Sequence, residues 1–186
     1  MQEAVPVGKG AMAAIIGLDM DLIKEKIVEV EGIVNIANWN SSSQIVISGE
    51  KSAVENAIKI LDAPKSVMLP VSAPFHSELM LPAEEKLSVD LNNINFRDLQ
   101  FPIINNVDVE EITDKDKVRD GLRRQVSRPV LWHSTALKML NDKGMEKYAE
   151  VGAGKVLGGL IRRTSRDLDK KIELVNFQTF EDLNNG

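Results

Sequence analysis

The chain has 186 residues, 43% of them hydrophobic and 27% charged, with a formal net charge of −5; this is the make-up of an ordinary globular protein, long enough to bury the core of one domain or two small ones. The acidic balance disfavours a nucleic-acid partner, and the absence of cysteine excludes a disulfide framework, a cysteine nucleophile and thiolate metal sites while fitting a reducing compartment. The opening residues lack the basic flank and apolar segment of a secretory signal, and no apolar run approaches the length of a membrane span, so a cytoplasmic protein with no membrane partner is expected.

Residues 11–17 are apolar and bounded by glycines, which predicts a buried strand. Asp19 then caps a helical pattern with Leu22, Ile23, Ile27 and Val30 on one face. Residues 33–38 and 44–48 read as two strands around Trp39-Asn40-Ser41-Ser42-Ser43, a polar cluster in the position of a hairpin loop. Gly49-Glu50-Lys51-Ser52 opens a second helix through Ala53, Val54, Ala57, Ile58 and Leu61, which Pro64 stops, and residues 67–71 form a fourth strand. The order β-α-β-β-α-β is that of a ferredoxin-like split unit.

Residues 69–80 are where the chemistry is expected. The apolar run breaks at Ala73-Pro74 and the pattern turns helical, with Leu79, Met80, Ala83 and Leu87 spaced for one face. His76, one of two histidines, therefore stands at a strand-to-helix corner. Imidazole in general titrates near neutral pH, so a histidine held there can take a proton from a hydroxyl or thiol and return it. The plainer alternative is a histidine that caps or packs the helix start.

A helix over 79–91 leads to a strand over 102–107, and Thr113-Asp114 starts a helix through Val118 and Leu122 that Pro129 interrupts. A helix over 131–140, with Leu137 and Leu140 inward, ends at Gly144. A strand over 147–151, a helix over 155–163, a strand over 172–175 and a polar tail over 180–186 complete the chain. Strands alternating with helices imply layers around a sheet, an α/β architecture.

His133, beside Trp132, reads as structural, and two isolated histidines with no close ligand set predict no metal site. Gly152-Ala153-Gly154-Lys155 lacks the Gly-Lys-Ser/Thr ending of a phosphate loop and reads as a tight turn into a helix. Arg119, Arg123, Arg124 and Arg128, like Arg162, Arg163 and Arg166, read first as solvated helix faces and otherwise as guidance for an anionic partner.

The run Val71-Ser72-Ala73-Pro74-Phe75-His76-Ser77, followed by Leu79-Met80, resembles the histidine motif of the malonyl-CoA:acyl carrier protein transacylases. Three further stretches match that family in the same order: residues 1–6 with 10–17, residues 124–132, and residues 150–157. The resemblance covers essentially the whole chain. It implies an [acyl-carrier-protein] S-malonyltransferase of fatty-acid biosynthesis and lipid metabolism, with malonyl-CoA as substrate, acyl carrier protein as partner and no cofactor. In such enzymes a serine in a Gly-His-Ser-x-Gly elbow is the nucleophile, His76 matches the base, and Gln125 matches an active-site glutamine. Phe75 matches the bulky residue of malonyl-selective relatives, where it would crowd an α-methyl branch, and Asn40 matches a residue of the family loop Asn-Ser-Pro-Gly-Gln, here Asn40-Ser41-Ser42-Ser43-Gln44.

No Gly-x-Ser-x-Gly occurs in the sequence. The resemblance is therefore to the C-terminal portion of a transacylase, without roughly 120 residues, about the size of a small domain. It implies a ferredoxin-like small subdomain over 8–71, the C-terminal part of an α/β-hydrolase-like acyltransferase subdomain over 72–179 and a tail over 180–186. A chain with only the histidine half of the site is expected to be inactive alone. The alternative from another class is a non-catalytic ferredoxin-like module that binds a ligand or protein, because fold alone does not choose between them.

Overall fold

The computed structural model describes residues 4–6 and 8–182. It is an α/β protein in two compact units, residues 1–132 and 133–186. In the first unit the order is β1 (Gly10–Ile16), α1 (Met20–Ile27), β2 (Val34–Ser41), β3 (Gln44–Glu50), α2 (Lys51–Leu61) and β4 (Lys65–Met68). The four strands make one antiparallel sheet in the order β2-β3-β1-β4.

Side chains alternate across a strand, and here both faces are covered. Ala13 and Ile15 of β1 and Ile45 and Ile47 of β3 are fully buried in one cluster with Ile23 of α1 and Val54 of α2. The intervening Met12, Ala14 and Val46, with Ala37 of β2, form a second cluster on the other face, against which Leu69 and Phe75 pack. Two helices cover one face, and the His76 segment covers part of the other.

The helix starts follow their caps. The Asp19 carboxylate accepts from the Leu22 amide at 2.9 Å, a bond worth about 1 kcal/mol. The β2–β3 turn is tighter than the sequence suggested. Trp39, Asn40 and Ser41 stay in β2, leaving only Ser42 and Ser43 outside the strands. The polar residues are tolerated because β2 shifts register between Ile36 and Asn38 and again between Trp39 and Ser41, and its outer edge is paired elsewhere: the Trp39 amide donates to the Val130 carbonyl and the Val130 amide to the Ala37 carbonyl. β4 also lies earlier than expected. Its last ladder bond runs from the Leu69 amide to the Met12 carbonyl, and the next donor of an antiparallel ladder, the Val71 amide, turns back instead to the Leu69 carbonyl at 2.8 Å.

Past the turn at 69–77, a 3₁₀ turn (Glu78–Met80) leads into α3 (Leu81–Asn92). The strand expected over 102–107 shrinks to β5 (Ile103–Ile104), paired with β6 (Glu111–Ile112), because Asn105 folds the chain back, its side-chain oxygen accepting from the Asp108 and Glu110 amides. Asp114 then caps α4 (Lys115–Arg124).

The second unit holds most of α5 (Trp132–Leu137), which loosens into a π-helical stretch (Lys138–Asp142), then β7 (Lys147–Val151), α6 (Val156–Asp167) and β8 (Glu173–Phe177). β7 and β8 pair in parallel, with α6 as the crossover. Phe180 is exposed, and the rest of the expected tail, residues 183–186, lies outside the described residues, as do residues 1–3 of the first matched stretch. Among the described residues, no helix is long and apolar enough to cross a membrane.

Candidate active site

The corner at His76 is built on β1. Pro74 is almost fully buried against Gly10, where an added Cβ would lie 2.3 Å from the proline Cδ. Only glycine lets the turn approach the strand this closely. Ser77 Oγ donates to the Pro74 carbonyl at 2.6 Å, the Met80 amide to the Ser77 carbonyl at 2.9 Å, and the Glu78 amide to the Asn35 side-chain oxygen of β2 at 3.1 Å. Between these ties His76 adopts φ 57°. A left-handed conformation costs a non-glycine residue about 1–2 kcal/mol. Such strain persists where neighbouring contacts over-determine it, and it clusters at functional sites.

His76 Nδ1 lies 2.9 Å from the main-chain oxygen of Gln125, the residue that caps the C-terminus of α4. A carbonyl oxygen at a helix C-terminus has no amide of its own helix to accept from. It only accepts, so in the neutral ring the contact places the proton on Nδ1 and leaves the Nε2 lone pair available. The Gln125 side chain works elsewhere. Its amide nitrogen donates to the carbonyls of Arg128 at 3.1 Å and Pro129 at 3.2 Å, which fixes the segment whose Val130 pairs with β2. The structure thus unites His76 and Gln125, with the glutamine main chain on the ring and its amide on the following loop.

Phe75 is half-buried. It packs against the Met12, Ala14, Ala37 and Val46 cluster and against Val5, Met80 and Val126. Asn40 is half-exposed in β2, two residues beyond Asn38, which bridges Val130.

The arginines of α4 are neither simply solvated nor free for an anion. Arg123 pairs with Glu84 and Asp120, and Arg124 pairs with Asp120 at 2.7 Å and, through both terminal nitrogens, with Asp108 at 2.7 and 2.6 Å. The Arg124 bonds hold the Asp108 carboxyl below the usual carboxylate range, while those of Arg123 and then Arg124 do the same for Asp120; the Arg124 guanidinium is raised in turn, chiefly by Asp108. Glu84 is the residue that sequence reasoning missed. It is buried on α3, where its carboxylate accepts from Arg123 Nη1 and from Ser127 Oγ.

In the second unit His133 is 7% exposed, with Nδ1 3.4 Å from Thr164 Oγ1, and burial pushes its imidazole below the usual range, partly offset by Asp167. The turn at Gly152-Ala153-Gly154 does lead into a helix. The Glu150 carboxylate accepts from the Leu157 amide at 3.0 Å and the Gly158 amide at 2.8 Å, so an internal carboxylate already takes the place a phosphate would occupy at the start of α6. Among the described residues no cluster of three histidine, cysteine, aspartate or glutamate side chains could hold a metal ion.

No protein-family model matches the chain. The malonyl CoA-acyl carrier protein transacylase of Escherichia coli K12 is 48% identical over 168 residues, a match spanning 88% of this chain and 54% of that protein. An acyl carrier protein S-malonyltransferase from Vibrio cholerae superposes with a TM-score of 0.92 at 40% identity, over 100% of this chain and 60% of that one. A malonyl-transacylase solved in complex with its type II PKS acyl-carrier protein superposes with a TM-score of 0.90 at 39% identity, over 99% of this chain and 60% of that one. The chain thus spans little more than half the length of the proteins it matches. It is a homologue of the malonyl CoA-acyl carrier protein transacylases, over a span consistent with their C-terminal portion.

Proposed function

We propose that this chain supplies the histidine half of a malonyl-transfer site, working with a nucleophilic serine from a segment outside these 186 residues. The observation that carries the reading is the contact between His76 Nδ1 and the Gln125 carbonyl, which leaves Nε2 as the base. In the first half-reaction Nε2 takes the serine proton as the serine oxygen attacks the malonyl thioester. The tetrahedral intermediate expels the coenzyme A sulfur, which receives that proton from the imidazolium. In the second, Nε2 takes the proton of the carrier protein's phosphopantetheine thiol, the thiolate attacks the malonyl-serine ester, and the proton returns to the serine oxygen. No redox step or metal enters this scheme, so the reading needs no cofactor.

Gln125 orients the ring through its main chain and holds the 128–130 loop through its side chain. Phe75, packed beside the base, narrows the space for an α-methyl branch, a difference worth about 1–3 kcal/mol. Asn40 is assigned to substrate binding on the family resemblance. We further read residues 8–71 as a ferredoxin-like subdomain, supported by the order β2-β3-β1-β4, residues 72–179 as the C-terminal part of the acyltransferase subdomain, and residues 180–186 as a tail. The cysteine-free composition supports a cytoplasmic location.

The test is reconstitution of this chain with the N-terminal portion of a homologue that carries the serine elbow, following malonyl transfer from coenzyme A to carrier protein. Transfer by the pair, silence of either piece alone, and loss on His76→Ala are expected. Equal transfer with and without the His76 side chain would overturn the reading and favour a non-catalytic module.

A further inference from the structure

Glu84 is 6% exposed, sits on a helix face otherwise given to packing, and has no part in the chemistry described above. Both its oxygens are engaged, and both partners lie on the same turn: Arg123 and Ser127 bracket Gln125, whose carbonyl holds the imidazole. His76 and Glu84 in turn stand at the two ends of one short segment, the 3₁₀ turn and the first turn of α3. Segment 76–84 and turn 123–127 are therefore joined at two points, one through the ring and one through the carboxylate. A single contact leaves a hinge; two contacts fix an orientation.

The other face of the same turn is anchored as well. Arg123 reaches Asp120 with its second terminal nitrogen at 2.8 Å, and Arg124 is held by Asp120 and Asp108. Glu84 is the buried partner of this pair and Arg123 the half-exposed one; desolvation of the carboxylate offsets much of the attraction, and the better-attested use of such a pair is to specify one geometry over its neighbours. Here the geometry it specifies is the placement of the one carbonyl that selects the tautomer of His76.

We propose that Glu84 is a positioning residue for the histidine: by clamping Arg123 and Ser127 it holds the Gln125 carbonyl against Nδ1 and keeps the Nε2 lone pair directed outward. This rests on the reading of His76 as the base. Glu84 touches neither substrate nor the reacting atoms, and its effect reaches them through the turn.

The experiment compares the chain with its Glu84→Gln variant by long-range ¹H–¹⁵N spectra of the histidine rings, with the His76 signals assigned by their loss in His76→Ala. Glu84→Gln keeps the shape but loses the charge and one of the two acceptors, so its amide nitrogen faces a donor where a carboxylate oxygen accepted. The expected result is that the Nδ1–H tautomer of His76 gives way to a mixture with Nε2–H. In the reconstituted transferase kcat falls by about 10- to 100-fold, as displacement of a catalytic group by about 1 Å does, with KM for malonyl-CoA little changed. Glu84→Asp, whose carboxylate the flexible Arg123 can follow, restores most of both. A wild-type tautomer and kcat in folded Glu84→Gln, with only the melting temperature lowered, would overturn the proposal. Should that variant fail to fold, Ser127→Ala removes one of the two ties. A smaller shift in the same direction supports the clamp, and an unchanged tautomer refutes it. The spectra report on the clamp even where transfer proves independent of His76, so failure of the clamp and failure of the functional reading are separable.

Discussion

The two histidines of this chain sit in regions that treat the same side chain in opposite ways. His76 stands in a strained turn, half-buried, with one ring nitrogen on a carbonyl at a helix end. His133 lies inside a helix, 7% exposed, with Nδ1 beside a threonine hydroxyl, and its burial disfavours the charged ring. A general base needs one nitrogen anchored, the other accessible, and a surrounding that tolerates the charge it acquires. The first region anchors one nitrogen on a main-chain carbonyl, and it does so through backbone geometry: Gly10 admits Pro74, and Ser77 and Asn35 close the turn around the strained His76.

Substitution should separate the two histidines by what each loses. His76→Ala should lower reconstituted malonyl transfer by about 10²- to 10⁴-fold, the range of a lost general acid-base group, whereas His133→Gln should lower the melting temperature and leave the transfer rate close to wild type. Parallel kinetics and thermal melts of the two variants check this. A large rate loss in the second alone would reverse the assignment. Gly10→Ala attacks the corner from beneath. The new methyl must displace Pro74, an overpacking that costs about 1–3 kcal/mol, and chemical denaturation together with the transfer rate should show stability and activity falling together. Ser77→Ala removes the bond to the Pro74 carbonyl and leaves a buried acceptor unpaired, with an expected loss of about 1 kcal/mol in the same denaturation measurement.

The mildest contrast is with pH. Burial lowers the His133 imidazole in the folded chain below its ordinary value of 6.5, so the unfolded chain takes up this proton at higher pH than the folded one. The contribution of His133 is complete above about pH 6.5 and is lost as pH falls toward and through the lowered folded value. Melting temperatures from pH 7 to pH 5 should decline, and His133→Gln should flatten that decline.

Much of the first region was legible in the residues. The apolar run of β1, the Asp19 and Asp114 caps and the stop at Pro64 are local signals, and the structure follows them. The legible part ends where distant chain decides. Trp39, Asn40 and Ser41 look like a loop, yet they are a strand because the Val130 backbone pairs with its edge. The expected β4 starts two residues and ends three residues late because apolar content marks it, while the Val71 amide leaves the ladder for the Leu69 carbonyl. At the candidate site, the resemblance points to Phe75, His76 and Gln125, of which the structure brings the last two into contact. The use of the Gln125 main chain was legible only in part, since it depends on where α4 ends. Glu84 left a trace that went unread: with Met80, Ala83, Leu87 and Leu91 it falls on the apolar stripe of its helix, where a charge is out of place unless something pairs with it.

Whether the Gln125 carbonyl fixes the proton on His76 Nδ1 and frees Nε2 is decided by the tautomer of His76 in the unaltered chain. Long-range ¹H–¹⁵N spectra at neutral pH, with the His76 ring identified by its loss in His76→Ala, should show a protonated Nδ1 and an unprotonated Nε2. A dominant Nε2–H form would leave no lone pair where the serine proton must go, and would contradict the account.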